Sequence, residues 1–292
     1  MTNSLFDLSL VICTRNRAAQ LAQTLETVSA IRSQLKWELI VVDNGSTDRT
    51  SAVVAEYAAA CNHPVQMIME PGRGVSCAKN AGWQSARSGI IVCIDDDCYP
   101  EKDYLDSIFD CFANDPRLGF AGGRILLHDP TDRRITIQEH LEPFSFAPGS
   151  FIPAGAIHGA NVAYRRAALI EVGGFDPWFG GGACYSGEEV ELMARISAAG
   201  WYGAYDPKPL VYHHHGRKTA NDEWRLRRWY DRGRGAYYAK CMLNRKMRKV
   251  YIMKWLLTRH HNSLITTGRE IMAGLHYVAR ACKTARSLNG QG

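Results

Sequence analysis

The chain reads as an α/β protein with a Rossmann-like, mostly parallel central sheet over residues 1–216 and a basic helical extension over residues 217–292. Three observations predict this architecture. Short apolar runs recur, each closing on polar or acidic residues, as buried strands of a parallel sheet do. Between them apolar residues return every three to four positions, the period of an amphipathic helix. The charge balance also inverts: residues 1–216 carry 17 Lys and Arg against 25 Asp and Glu, whereas residues 217–292 carry 18 against 4, a net of +14.

Residues 8–13 form the first strand, and Thr14-Arg15-Asn16-Arg17 then turns into a helix with Leu21, Leu25 and Val28 on its apolar face. That turn offers Thr14, Arg15 and Arg17 to a phosphate or a base. It lacks both the Gly-x-Gly-x-x-Gly of a dinucleotide fold and the Gly-Lys-Ser/Thr of a P-loop. Residues 38–42 form the second strand, ending in Asp43-Asn44-Gly45-Ser46-Thr47-Asp48. There Asp43 either serves the turn or hydrogen-bonds a base or ribose, and Ser46, Thr47 or Asp48 caps the next helix. A third strand, 65–69, leads through Glu70-Pro71-Gly72-Arg73-Gly74 into a helix from Val75 that carries Lys79, Asn80 and Trp83.

The fourth apolar run, Ile90-Ile91-Val92-Cys93-Ile94, drives into Asp95-Asp96-Asp97. In open α/β sheets ligands gather beyond the carboxyl ends of the strands. Three adjacent carboxylates repel one another, so either they share a divalent cation such as Mn²⁺ or Mg²⁺, or they form a solvated turn before a helix at 102–112. A strand at 118–121 completes the alternation, which implies parallel pairing with right-handed crossovers. From Arg124 the rhythm breaks. Residues 128–158, with Pro130, Pro143, Pro148 and Pro153, read as a long loop of the kind that contacts substrate.

Order returns at residues 159–166 with a helix to Val172, and the stretch Trp178-Phe179-Gly180-Gly181-Gly182 has the composition of a lid. It delivers Ser186-Gly187-Glu188-Glu189 to a helix start. Ser186 is the expected N-cap with acids in the first turn, and the same acids suit a general base. Two short strands, 201–205 and 210–212, end in His213-His214-His215, where His213 and His215 share one side and are candidates for a metal or a diphosphate. Beyond 216, Leu226, Tyr230, Gly233, Tyr237 and Cys241 form a stripe among arginines, and 251–257 and 271–278 are similar.

An apolar fraction of 46% and a charged fraction of 22% are those of a globular protein. No run approaches the roughly 20 apolar residues of a membrane span, and Met1-Thr2-Asn3-Ser4 is no basic-then-apolar leader. A cytoplasmic location is expected, with peripheral contact at the cytosolic face of a membrane as its variant. Nine scattered cysteines without a Cys-x-x-Cys pair argue against a zinc site, and most are expected to be reduced and buried. The basic tail suits an anionic partner: a phosphate-bearing substrate, a membrane surface or nucleic acid. Nucleic acid is not expected, because no binding module is recognisable there. The apolar stripes of the last helices alternatively close the core or a homodimer contact.

Five ordered blocks over about residues 8–215 resemble the family-2 glycosyltransferases of the glycosyltransferase-A fold: Ser9-Leu10-Val11-Ile12-Cys13-Thr14-Arg15-Asn16-Arg17, Val41-Val42-Asp43-Asn44-Gly45-Ser46-Thr47-Asp48, Gly74-Val75-Ser76-Cys77-Ala78-Lys79-Asn80-Ala81-Gly82, Asp95-Asp96-Asp97 and Gly187-Glu188-Glu189. The resemblance implies metal-dependent, inverting transfer of a sugar from a nucleotide-diphosphate sugar to a hydroxyl of a saccharide or lipid-linked acceptor. It implies Asp43 on the nucleobase, Arg73 near base or ribose, and Asp95 or Asp96 on the ribose. It implies Asp97, with Asp95, on Mn²⁺ or Mg²⁺, and Glu189 as the base with Glu188 as the alternative. Asn161 and Trp178 are the expected acceptor contacts.

Three positions depart from the family pattern: Cys13 stands where proline is common, Lys79 where arginine is, and Glu189 where aspartate is. The last adds one methylene and lets the base reach further. Among competing readings, a sugar-phosphate nucleotidyltransferase would need a glycine-rich, Arg-containing loop after the first strand, and residues 14–17 hold no glycine. A nucleic-acid-binding protein would leave the acidic rim without a task. A non-catalytic sugar-nucleotide binder differs in lacking turnover.

Overall fold

Strand β1 (Leu8–Thr14) lies between β2 (Trp37–Asp43) and β4 (Ile90–Asp95), parallel to both, and β3 (Val65–Met69) continues the parallel set beyond β2. The computed structural model describes residues 4–258 and 263–289, and the polar start at residues 1–3 lies outside them. Helices α1 (Ala18–Ser29), α2 (Thr50–Ala60) and α3 (Val75–Ser85) make the crossovers. Leu8, Leu10 and Ile12 of β1 enter one core cluster with Leu21 and Leu25 of α1, while Val11 enters the other with Ala78 and Trp83 of α3. Burial on both faces explains why these strands are unbroken apolar runs.

Beyond β4 the sheet departs from the expected parallel alternation. Its order is β3-β2-β1-β4-β8-β6-β9-β5, with β7 on β9. Strand β8 (Asn161–Arg165) inserts antiparallel between β4 and β6 (Leu118–Leu127), so the fourth run and the next never meet. The ordered stretch expected at 159–166 is this strand and the helix to Val172 follows it, but nothing local to the segment indicates the antiparallel pairing. Strand β6 passes straight through Arg124, where a break was expected. The two short strands near the histidines are one, β9 (Tyr202–His213), which pairs parallel with β6 through a register shift between Gly122 and Arg124. The small strands β5 (Cys98–Pro100) and β7 (Phe144–Phe146) edge β9, the latter inside the expected long loop.

Helix α4 (Tyr104–Ala113) covers one face of the sheet; α5 (Arg166–Val172) and α6 (Glu188–Ala198) supply the other. The extension contributes α7 (Ala220–Leu243), α8 (Arg248–Thr258) and α9 (Leu264–Asn289). Tyr237, Cys241, Tyr251 and Tyr277 from these helices share one cluster with Val190, Leu192 and Met193 of α6. Of the expected stripe, Gly233, Tyr237 and Cys241 are buried, while Leu226 and Tyr230 are not. All nine cysteines are free thiols, but only Cys93, Cys98 and Cys241 are buried, which corrects the expectation for most of them.

Helices α7 and α9 cross where Gly235 touches the Glu270 backbone; a Cβ there would overlap the Glu270 carbonyl. Glycine permits that approach. Gly235→Val is therefore expected to destabilise the protein by about 1–3 kcal/mol through overpacking, read as a lower urea midpoint with an unchanged slope.

Candidate functional site

The strand order places the carboxyl ends of β1 and β4 at one rim, and the acids of the fourth run meet the turn after β1 there. Thr14 Oγ1 donates to Asp96 Oδ2 at 2.6 Å, and Arg17 reaches Asp96 Oδ1 at 3.0 Å and Asp97 Oδ2 at 2.5 Å. From β9, His213 Nε2 lies 3.3 Å from Asp97 Oδ1. Burial pushes the Asp96 carboxyl up to about 7 against the pull of Arg17 and Thr14. For Asp97 burial acts the same way, but the bond and charge of His213 and the Arg17 guanidinium outweigh it and hold the group below the usual carboxylate range. Burial opposes charge on His213, and Asp97 overcomes it to raise the ring's pKa.

Asp95, Asp97, Cys98 and His213 offer ligand atoms that all lie within 4.8 Å of one another. Two carboxylates and an imidazole make a donor set suited to Mn²⁺ and also compatible with Mg²⁺. The other ring nitrogen of His213, Nδ1, faces the Thr136 carbonyl at 3.4 Å, the outer contact that orients a ligating imidazole.

A cavity of about 380 Å³ opens over this cluster. Thr14, Arg15, Arg17, the three Asp residues and His213 line it together with Gly181 and Gly182. Asp43 closes its own turn, accepting the Ser46 amide at 2.7 Å on Oδ1, while its buried Oδ2 has no partner among the described residues. A buried acceptor left open in this way fits a ligand N–H, although Asp43 is 0% exposed and is not itself among the residues lining the cavity. Asp48 accepts the first amides of both α1 and α2, from Ala18 and Thr50, so the predicted cap serves two helices. The Arg73 side chain is exposed and does not line the cavity.

The second acidic pair is split by its surroundings. Helix α6 starts at Glu188 behind Gly187, whose φ of 86° is glycine's territory. The expected Ser186 cap is corrected: its hydroxyl donates to the Trp229 carbonyl of α7 instead. Lys79 Nζ of α3 holds Glu188 Oε1 at 2.8 Å in a buried pair, and that cation outweighs burial to lower the Glu188 pKa. Among the described residues Glu189 makes no ion pair of its own, and the pull of Lys79 on it is the weaker influence. Burial and then the neighbouring Glu188 charge push it up to about 8. It lines a second cavity of about 130 Å³ with His158, Gly155 and Arg234, and burial brings His158 down to about 4, so that ring is neutral.

Thr136 and Tyr230 line both cavities and so mark their junction. Thr136 has φ 56°, a strained setting for a β-branched residue of the kind held at functional sites. Lys79 was visible in the sequence as a departure from the family pattern; Thr136, His158 and Cys98 carried no signal.

Three expected contacts are corrected. Asn161 is fully buried and spent on the fold: it donates to the Arg124 and Pro209 carbonyls and accepts from Tyr104, leaving nothing for an acceptor. Trp178 packs against Tyr277 and under the Arg280 guanidinium of α9, away from both cavities. His215 uses both ring nitrogens, Nε2 toward the Arg133 carbonyl and Nδ1 as acceptor for the Arg217 amide, so it is not a metal ligand in this arrangement. The glycine-rich loop expected as a lid is fastened from both sides: Val75 and Ser76 of α3 donate to the carbonyls of Gly181 and Phe179, and Tyr185 meets His276 of α9 at 2.7 Å.

The sequence model described as "Glycosyl transferase family 2" matches residues 9–173. The "Pre-mycofactocin glycosyltransferase" of Mycobacterium tuberculosis is 27% identical over 244 residues, covering 79% of this chain and 47% of that protein. The "Poly-beta-1,6-N-acetyl-D-glucosamine synthase" of Staphylococcus aureus is 24% identical over 210 residues, 70% of this chain and 49% of that one. The chain thus spans about half the length of the curated relatives it matches. Among solved structures, "Mannosyltransferase PcManGT from Pyrobaculum calidifontis in complex with GDP-Man and Mn2+" superposes with TM-score 0.65 at 17% identity, over 98% of this chain and 79% of that one. S. aureus TarS 1-349 in complex with UDP-GlcNAc gives 0.62 at 13% identity, over 91% and 79%. The fold is that of the glycosyltransferase-A structures.

Removing Lys79 strands a buried carboxylate. Lys79→Met is expected to cost about 3–5 kcal/mol near neutral pH by denaturant unfolding. Because the Glu188 pKa is lowered in the folded protein, the pair's contribution is present above the unfolded value of about 4.3 and fades as pH falls through the folded one. The gap between wild type and variant should therefore narrow in acid.

Proposed function

Because the chain belongs to glycosyl transferase family 2, we propose that it moves a sugar from a nucleotide-diphosphate sugar to a hydroxyl of a saccharide or lipid-linked acceptor, by direct displacement with inversion. The observation that carries this reading is the junction at Thr136 and Tyr230 between a cavity lined by metal-fitting acids and one lined by a protonatable carboxylate. Donor and acceptor enter from the two sides.

Asp95, Asp97 and His213 would hold Mn²⁺ or Mg²⁺, which when bound neutralises the diphosphate as it leaves. Arg15 and Arg17 stand at the same wall and add positive charge toward the phosphates. Asp43 offers its open oxygen to the base. Glu189 takes the proton of the acceptor hydroxyl as its oxygen attacks the anomeric carbon. Glu188, tied to Lys79, stays ionised and keeps its neighbour's pKa high. A single base is sufficient for direct displacement, because no enzyme-bound sugar needs to be formed and hydrolysed.

The support is chemical as well as architectural. Of the two adjacent acids, only Glu189 lines the inner cavity, and it alone has a pKa near working pH, where a general base is most effective.

Three outcomes are expected. Asp97→Asn should stay folded yet lose Mn²⁺-dependent thermal stabilisation by nucleotide sugars, with GDP-mannose and UDP-N-acetylglucosamine as the first probes. Unchanged stabilisation would remove Asp97 from the metal site. Glu189→Gln should retain donor stabilisation while transfer falls by roughly 10²-fold or more; if Glu188→Gln alone does this, the two roles are exchanged. In wild type, kcat/KM should rise with pH and level off past about 8, because the base is protonated below that value.

A further inference from the structure

The last two helices turn apolar side chains outward. On α9, Leu264, Ile271, Met272 and Leu275 fall on one stripe at helical spacing and are 92%, 44%, 68% and 61% exposed. The opposite face of the same helix is the packed one, with Glu270, Ala273 and Tyr277 buried against α7 and the body. Helix α8 repeats the arrangement. Tyr251 points into the core, and Ile252, Met253, Leu256 and Leu257 lie on the far side with 40–61% exposure. The expected stripes are thus divided: Tyr251, Ala273 and Tyr277 close the core, as one alternative from the sequence had it, while the residues above face outward. Outward apolar side chains gathered on one face of each of two helices mark an interaction site.

Charge selects the partner. Lys249 sits among the exposed apolar positions of α8, and Arg245, Lys246 and Arg248 are exposed just before them. Residues 245–289, which hold both helices, carry 10 Lys and Arg against the one acid Glu270. A second copy docking face to face would set that excess against itself, since a two-fold interface brings like patches together. An anionic lipid surface instead takes both components, the apolar side chains entering the acyl boundary and the lysines and arginines meeting the headgroups. Among the described residues no helix is long and apolar enough to cross a membrane, so the contact lies in the interfacial plane.

We propose that α8 and α9 form an amphipathic platform that docks the protein on an anionic lipid surface. The inference goes beyond the transfer reaction and does not depend on it. The packed face of α9 holds the loop that leads into Glu188 and Glu189, through Tyr277 against Trp178 and His276 against Tyr185. Helix α9 of the platform is thus in direct contact with the segment that precedes the two glutamates.

The test is co-sedimentation of the whole protein with vesicles of phosphatidylcholine alone and of phosphatidylcholine mixed with phosphatidylglycerol, across a salt series. Binding is expected with the anionic vesicles and should weaken as salt rises. The double variant Leu264→Glu, Leu275→Glu alters only exposed positions; it should keep the wild-type melting temperature and bind at least about tenfold less. Wild-type binding by that variant, or no binding by the native protein at low salt, would overturn the proposal. So would a native dimer that the same variant converts to monomer, since a second copy would then own the surface. Thermal stabilisation by a nucleotide sugar and Mn²⁺ in free solution, measured alongside, reports on the donor site separately.

Discussion

Five carboxylates crowd one side of this protein, Asp95, Asp96 and Asp97 at the end of β4 and Glu188 and Glu189 at the start of α6, and their mutual repulsion under burial is the constraint around which the surroundings are arranged. Each cation nearby answers a particular acid. Arg17 spans Asp96 and Asp97, His213 leans on Asp97, and Lys79 neutralises Glu188. The elements that bring those cations, α1, β9 and α3, are otherwise distant in sequence. Their convergence makes the rim as much a folding requirement as a chemical one, because unpaired buried charge costs several kcal/mol per group.

The unequal answer is what separates two adjacent glutamates. One is paired directly with a lysine and remains ionised; for the next, burial and the negative neighbour outweigh the more distant pull of the same lysine, and it becomes a weak acid. A residue can thus be prepared as a base without a dedicated partner, by giving the partner to the residue before it.

Much of this was legible in the chain. The parallel half, β1 to β4 with its helices, follows from apolar runs closed by polar turns, since both faces of those strands are covered. The mixed half was not. Strand β8 is five residues long and runs antiparallel, and β9 continues through Asp206-Pro207-Lys208-Pro209 because its neighbour β6 shifts register at the same point. Pairing partners decide such strands, and pairing is not local. At the site, the convergence of the acids and Arg17 was foreseeable because each closes a strand of the same parallel set. Asn161 and Trp178 were misread because polarity or aromaticity in a suggestive segment does not reveal which way a side chain turns. Thr136 was invisible for the opposite reason: its significance lies in a backbone angle.

The hold of α9 on the glycine-rich loop has a temporal side. Tyr185 and His276 are 91 positions apart, and Cys184 and Arg280 are 96. At typical synthesis rates the ribosome needs roughly 5–20 s to cover that interval. Within it β9 and His213 are still to be made at first, and throughout it the helix that restrains the loop is missing. The last of the described elements to be translated is therefore the one that fastens the segment leading into Glu188 and Glu189, so that segment takes its final setting only after the sheet is complete.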